Sequence, residues 1–222
     1  MPEHASRPIF LPMPIWKTIR SPWLFHVVAL LPGLLLLSDW LSGDLSVNPV
    51  QEAIQRSGRI AITLLVATLA VRPLSHWLRW KALLAGRRTL GLYTFGYALL
   101  HATLFLGVDY RFVLAFIVQE FVEKPYLWFG VGAFAILLPL AITSFRYWMR
   151  KLGKNWKRLH RLIYLAAILA VLHYGWAVKG DFLTLRGEVL RPWLYALGVA
   201  FLLGWRLWVV LQQQRRHRHS IS

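Results

Sequence analysis

The feature that most limits this chain is the spacing of its apolar blocks. A helix needs about 20 mainly apolar residues to cross the hydrocarbon of a bilayer. Six stretches reach or approach that length: roughly Trp23 to Trp40 (broken by Pro32-Gly33), Arg59 to Trp77, Thr89 to Val108, Tyr126 to Phe145, Leu159 to Val178 and Trp193 to Leu211. The expectation is an all-α, polytopic membrane protein, a six-helix transmembrane bundle. A shorter apolar piece, Phe112 to Val122, is interrupted by Gln119 and Glu120. It reads as an interfacial or re-entrant segment and not as a seventh span.

The charges sort by loop. The chain carries a net charge of +17, which in a soluble protein would suggest nucleic acid. Here the cations lie between apolar blocks: Arg72, Arg79, Lys81, Arg87 and Arg88 around the second loop, Arg146 to Arg158 around the fourth, and Arg215, Arg216 and Arg218 in the tail. The acids fall in the other loops, as Asp39, Asp44, Glu52, Asp109, Glu120, Glu123, Asp181 and Glu188. Alternation of this kind is what an even number of spans requires, with both termini cytoplasmic and no nucleic-acid role. Trp and Tyr cluster at block ends, as an aromatic belt does. Hydrophobic residues make up 57% of the chain, against about 45–50% in an ordinary soluble domain. At 222 residues there is room for one membrane domain, expected over 22–211. A Pro-rich cytoplasmic arm, 1–21, precedes it, and a basic cytoplasmic tail, 212–222, follows as a disordered end. No A-x-A-like cleavage site follows the first block, which is therefore expected to stay as an anchor.

Ionisable residues inside a bilayer are expensive and mark function or buried polar pairs by default. Three histidines lie on the blocks or their edges with plausible partners: His101, His160 and His173. With entry from the cytoplasmic side, His101 lies about 18 Å along the third helix and His173 about 21 Å along the fifth, at ~1.5 Å per residue. Two neutral imidazoles at one depth can clamp a haem iron from both faces. Such ligation leaves no open position and favours electron transfer. His160 lies about 20 Å below His173, at the boundary beside Arg158 and Arg161. It could hold a second haem, bind propionates or reach to water. Thirteen residues of ideal helix leave it well out of phase with His173. The plain alternative for each is interhelical hydrogen bonding. His26 and His76 read as packing and interfacial residues, and His4, His217 and His219 lie in polar ends.

Other chemistries find little support. Cysteine is absent, which removes disulfides, thiolate chemistry and cysteine-ligated clusters. No zinc-ligand cluster, Gly-rich phosphate fingerprint or catalytic triad stands out.

Three stretches carry a resemblance: RRTLGLYTFGYALLH (Arg87 to His101), KPYLWFG (Lys124 to Gly130) and TSFRYWMRKLGKNWKRLHRLIYLAAILAVLHYGWAVK (Thr143 to Lys179). They resemble the MsrQ (YedZ) family, haem-binding membrane subunits of bacterial MsrPQ methionine sulfoxide reductase systems, within the wider ferric-reductase-like transmembrane group. The resemblance implies haem b and a flavin (FMN) in the inner membrane. It implies electrons drawn from the quinone pool or a cytoplasmic flavin reductase. They would pass to MsrP, a periplasmic molybdopterin enzyme that reduces methionine sulfoxide in oxidised proteins. The family's haem histidines fall on His101, His160 and His173. Helix three here has one histidine where the wider group has two, which makes one haem the firmer expectation. Arg87, Arg88 and Arg158 are candidates for haem propionates or a flavin phosphate, or they only set topology. Tyr126 and Trp128 either shape a docking surface or are belt residues. The expected role is an electron-transfer subunit without substrate chemistry of its own. The rivals are a related haem reductase with a different acceptor, and a non-haem transporter or scaffold.

Overall fold

The computed structural model describes residues 23–178, 180–181, 186–187 and 190–219, with side chains for 23–178 and 190–215. The expected arm over 1–21, His4, Glu188, and the side chains of His217 and His219 lie outside the described residues. Nine helices appear among them: α1 (Trp23–Ser42), α2 (Pro49–Trp77), α3 (Leu83–Thr103), α4 (Leu114–Glu123), α5 (Tyr126–Ile142), α6 (Arg146–Leu152), α7 (Lys154–Leu159), α8 (Ile163–Ala177) and α9 (Leu190–His219). Between α8 and α9 a two-residue antiparallel ladder pairs β1 (Gly180–Asp181) with β2 (Arg186–Gly187).

Five spans are long and apolar enough to cross a membrane: Trp23–Ser42, Pro49–Trp77, Leu83–Asp109, Lys154–Ala177 and Leu190–Arg215. The sixth comes from a bent pair, α4 and α5, which meet at 111°. At 17 residues α5 sits at the short end of spanning length, whereas the 10 residues of α4 cannot span. The chain is therefore an all-α, multi-pass membrane protein, as the blocks require.

Two apolar clusters meet on α2, which makes it the central helix. One joins Ile62, Leu65 and Leu69 to Leu137 and Leu140 of α5, Ala166, Ala167 and Val171 of α8, and Val199 of α9. The other joins Ala61, Leu64 and Val71 to Ala29 of α1 and to Leu90 and Tyr97 of α3. Large side chains such as Leu34, Leu37, Leu197 and Phe201 point outward, while Ala29, Ala166 and Ala167 are fully buried. This inversion suits a lipid solvent, where packing of small residues rather than exclusion from water holds helices together. Buried hydroxyls on α2 and α3 return to their own helix: Ser57 donates to Ala53 O at 2.7 Å, Thr68 to Leu64 O at 2.7 Å and Thr94 to Leu90 O at 2.9 Å. Such back-bonding satisfies a polar group without a second helix. Tyr97 ties α3 to α1, its hydroxyl donating to Ala29 O at 2.8 Å. It lies against Gly33, where no Cβ would fit.

The structure departs from the sequence reading at several ends. Helix α2 starts ten residues earlier than its apolar block. Asn48 caps it, its Oδ1 accepting from the Gln51 N–H at 3.1 Å, with Pro49 in the first turn. Arg56 then pairs with Glu52 at 2.6 Å and with Asp39 of α1. Helix α3 runs on through a π-helical segment, Leu104–Asp109. The fifth block is broken by a 3₁₀ turn, His160–Leu162, which no sequence signal marked. Helix α9 continues to His219, past the point where the sequence reading ends it and opens a disordered tail.

Candidate functional site

His101 of α3 and His173 of α8 come together, as their matched depth predicts. Their ring centroids are 6.1 Å apart with an interplanar angle of 80°. The same device fixes both rings. His101 Nδ1 lies 2.8 Å from Ile54 O of α2, and His173 Nδ1 lies 3.1 Å from Tyr126 O of α5. A carbonyl oxygen only accepts, so each Nδ1 must carry the proton. In the neutral ring, Nε2 is then the free lone pair, the form that binds a metal.

Two glycines make room for the pair. A Cβ on Gly58 would stand 3.0 Å from His101 Nδ1, and one on Gly130 would stand 2.8 Å from His173 Nδ1. Each histidine thus presents its Nδ1–Cε1 edge to a neighbouring helix. A second ring, Tyr126, stands 5.7 Å from His173. The arrangement fits the axial ligation of one iron. With metal–imidazole bonds of about 2 Å, two rings sharing an ion have centroids roughly 6 Å apart. Among the described residues no group of three or more His, Cys, Asp or Glu could hold a bare metal ion. A planar ligand that brings its own nitrogens needs only the two axial positions.

His160 lies apart, at the other end of its span. Its Nδ1 is 3.2 Å from Trp156 O, and its ring stacks on Trp156 at 4.0 Å. The Trp156 indole N–H donates to Thr143 O at 2.8 Å, which pins the stack to the end of α5. Its Nε2 is buried and has no hydrogen-bond partner. The 3₁₀ turn puts His160 outside the regular α phase counted from the sequence. His76 does not pair with it, since its ring lies 6.3 Å from Trp205. His26 bonds to the Tyr93 hydroxyl at 3.0 Å, in keeping with packing between α1 and α3.

The candidate arginines separate. Arg87 lines a cleft at the basic end of the bundle, together with Arg72, Tyr164 and Arg206. Arg88 lies over the Phe145 ring at 5.8 Å, and Arg158 is exposed on α7. The three therefore do not form one anion site. Tyr126 is half-buried beside His173, whereas Trp128 is exposed and packs edge-on to Phe121 at 5.2 Å. Sequence reasoning missed Ile54 and Tyr126 as the residues whose backbone carbonyls accept from the two rings, and Gly58 and Gly130 beneath them. Both glycines lie inside unbroken helix, α2 and α5, so nothing in the sequence marked them.

Residues 57–171 match the family described as "Ferric reductase like transmembrane component", and the chain belongs to that class. More closely, it is 46% identical over 180 residues to a protein of Xanthomonas campestris pv. campestris, covering 81% of this chain and 79% of the relative. It is 41% identical over 205 residues to one of Xanthomonas axonopodis pv. citri, covering 90% and 91%. It is 42% identical over 191 residues to one of Pectobacterium carotovorum subsp. carotovorum, covering 84% and 91%. All three relatives are named protein-methionine-sulfoxide reductase heme-binding subunit MsrQ. This chain belongs to the MsrQ family.

Proposed function

We propose that the chain is the haem b-holding, electron-transfer subunit of a protein-methionine-sulfoxide reductase system in the bacterial inner membrane. The observation that carries this reading is the facing pair His101 and His173, each with Nδ1 fixed on a backbone carbonyl and Nε2 left free. Family membership adds the class of reaction. A haem held between two imidazoles supplies one-electron transfer and offers no open iron position. The chain's own residues do the rest. Ile54 and Tyr126 orient the rings, Gly58 and Gly130 let them pack, and the surrounding apolar helices keep water out. A hydrogen bond from the far nitrogen of a ligating histidine sets its tautomer, ring orientation and basicity.

His160, with its buried free Nε2, is the candidate ligand for a further haem. Donor and acceptor are inferred from the family resemblance. Electrons enter at the basic, cytoplasmic end from the quinone pool or a flavin reductase, with FMN as a further cofactor. They leave at the opposite face to a periplasmic molybdopterin reductase, MsrP. Membrane lipid surrounds the bundle.

The test is optical. The purified protein is expected to show a b-type spectrum that sharpens on dithionite reduction. His101→Ala and His173→Ala are each expected to lose the low-spin bands while the protein still inserts. Full haem retention in both variants would sink the assignment. A pyridine haemochrome count on His160→Ala decides its role: a drop in haem per chain makes it a ligand, and no change leaves it a stacking partner of Trp156.

A further inference from the structure

Helix α4 turns its acid inward. Leu114, Val118 and Val122 are 71%, 53% and 76% exposed, while the Glu120 side chain is only 14% exposed. A carboxylate so shielded is costly unless it is paired and hydrogen-bonded. Glu120 has two partners. Lys124 Nζ donates to it from the next turn, and the Tyr110 hydroxyl faces the same carboxylate from beyond the end of the third span. The turn that delivers Tyr110 is strained: Arg111 and Phe112 take φ of 50° and 56°, where bulky residues are rare. It is also firmly held. The Tyr110 ring packs on Phe105 at 4.8 Å, and the Phe112 N–H donates to Leu106 O at 2.8 Å. Strain of this kind persists only where its surroundings over-determine it, and it collects at functional sites. The cluster stands at the corner where α4 meets α5 at 111°. Lys124 ends α4, its carbonyl accepts from the Leu127 N–H at 3.0 Å, and Tyr126 opens α5. Tyr126 is the residue whose carbonyl holds His173. The other ring has a clamp of the same kind: two residues beyond Ile54, Arg56 pairs with Glu52 and with Asp39 of α1. A shielded ion pair adds little net stability, because desolvation offsets the attraction, and its best-attested use is to fix one arrangement.

We propose that Glu120, held by Lys124 and the Tyr110 hydroxyl, is a positioning residue for the histidine pair: it locks the α4–α5 corner, keeps the Tyr126 carbonyl on His173, and thereby holds down the redox potential of the haem. The proposal rests on the haem reading above. A firm bond from His173 Nδ1 to Tyr126 O makes the ring a more basic ligand. A more basic axial ligand favours the oxidised iron. Loosening the corner therefore raises the potential, whichever member of the cluster is removed. A through-space effect of charge behaves differently. Removing the Glu120 anion disfavours oxidised iron, while removing the Lys124 cation favours it. Charge alone moves the two variants apart, and positioning moves them together.

The experiment is a spectroelectrochemical titration of the full-length haem protein in detergent. Glu120→Gln and Lys124→Met each break the pair. Both are expected to raise the ratio of reduced to oxidised haem several-fold at the native midpoint, where tenfold corresponds to about 59 mV for one electron. Tyr110→Phe keeps the ring on Phe105 and is expected to give a smaller rise. Lys124→Arg preserves the pair and is expected to keep the native potential. The proposal fails unless Glu120→Gln and Lys124→Met both rise: a native value in either, or shifts of opposite sign, overturns it. Where one of them holds too little haem to titrate, Tyr110→Phe decides, and a native potential there overturns the proposal. A colourless native protein overturns the haem reading and the proposal with it. A coloured native protein whose variants do not move overturns the proposal alone.

Discussion

At the scale of single residues, the site depends on atoms that a sequence does not display. A histidine in a membrane helix can donate or accept from either nitrogen. Here two backbone carbonyls, Ile54 O and Tyr126 O, decide the matter for His101 and His173. That leaves little freedom at the glycines beneath the rings. Gly130→Ala would put a methyl group 2.8 Å from His173 Nδ1, closer than such contacts allow, so the ring or helix α5 must shift. The corresponding distance for Gly58→Ala is 3.0 Å, which a small displacement of His101 relieves. We therefore expect Gly130→Ala to lower haem content several-fold and Gly58→Ala to lower it less. Both variants are compared with the native protein by haem absorbance per chain. Equal, full content in the two would mean that the packing of the rings does not govern occupancy.

At the scale of elements, legibility follows hydropathy and fails where polar residues build helix. The blocks locate six spans because lipid demands long apolar runs. They misplace the start of α2, because Gln51, Glu52, Gln55 and Arg56 look like loop to a hydropathy reading. The information was present in another form: an Asn-Pro start and a Glu–Arg pair four residues apart, both ordinary helix-opening signals. The π-helical end of α3 and the 3₁₀ turn at His160 had no such signal, since they arise from packing between helices. Matched depth put His101 and His173 at one level because it needs only the rise per residue, and their rings do lie 6.1 Å apart. The phase argument for His160 counted an unbroken helix, whereas a 3₁₀ turn interrupts the helix at that residue; His160 lies apart from His173 all the same. The amino end of α2 also supports the site, since Ile54 lies within it. Asn48→Ala removes the cap and is expected to cost about 1 kcal/mol. The measurable result is a melting temperature lower by a few degrees with the haem spectrum retained. An unchanged melt would show that the Arg56 pairs alone hold this end.

At the scale of the whole molecule, the charge distribution is a statement about sidedness. The cations of the second and fourth loops and of the C-terminal half of α9 lie at one end of the bundle. The acids Asp39, Asp44, Glu52, Glu120 and Glu123 lie at the other, where Arg56 and Lys124 are already paired with them. The histidine pair sits toward the acidic end. Electron flow through such a bundle has a direction only if its orientation is fixed, and the positive-inside rule predicts the basic end in the cytoplasm. The absence of cysteine makes this directly testable, because any introduced thiol is the only one in the chain. Val47 is fully exposed between α1 and α2 at the acidic end, and Asn155 is exposed in α7 at the basic end. In intact spheroplasts, a membrane-impermeant maleimide is expected to label Val47→Cys and to leave Asn155→Cys unlabelled until the membrane is opened. The reverse pattern would put the basic end outside, where a cytoplasmic donor cannot reach it. The direction assigned to the electrons would then have to be turned around with the bundle.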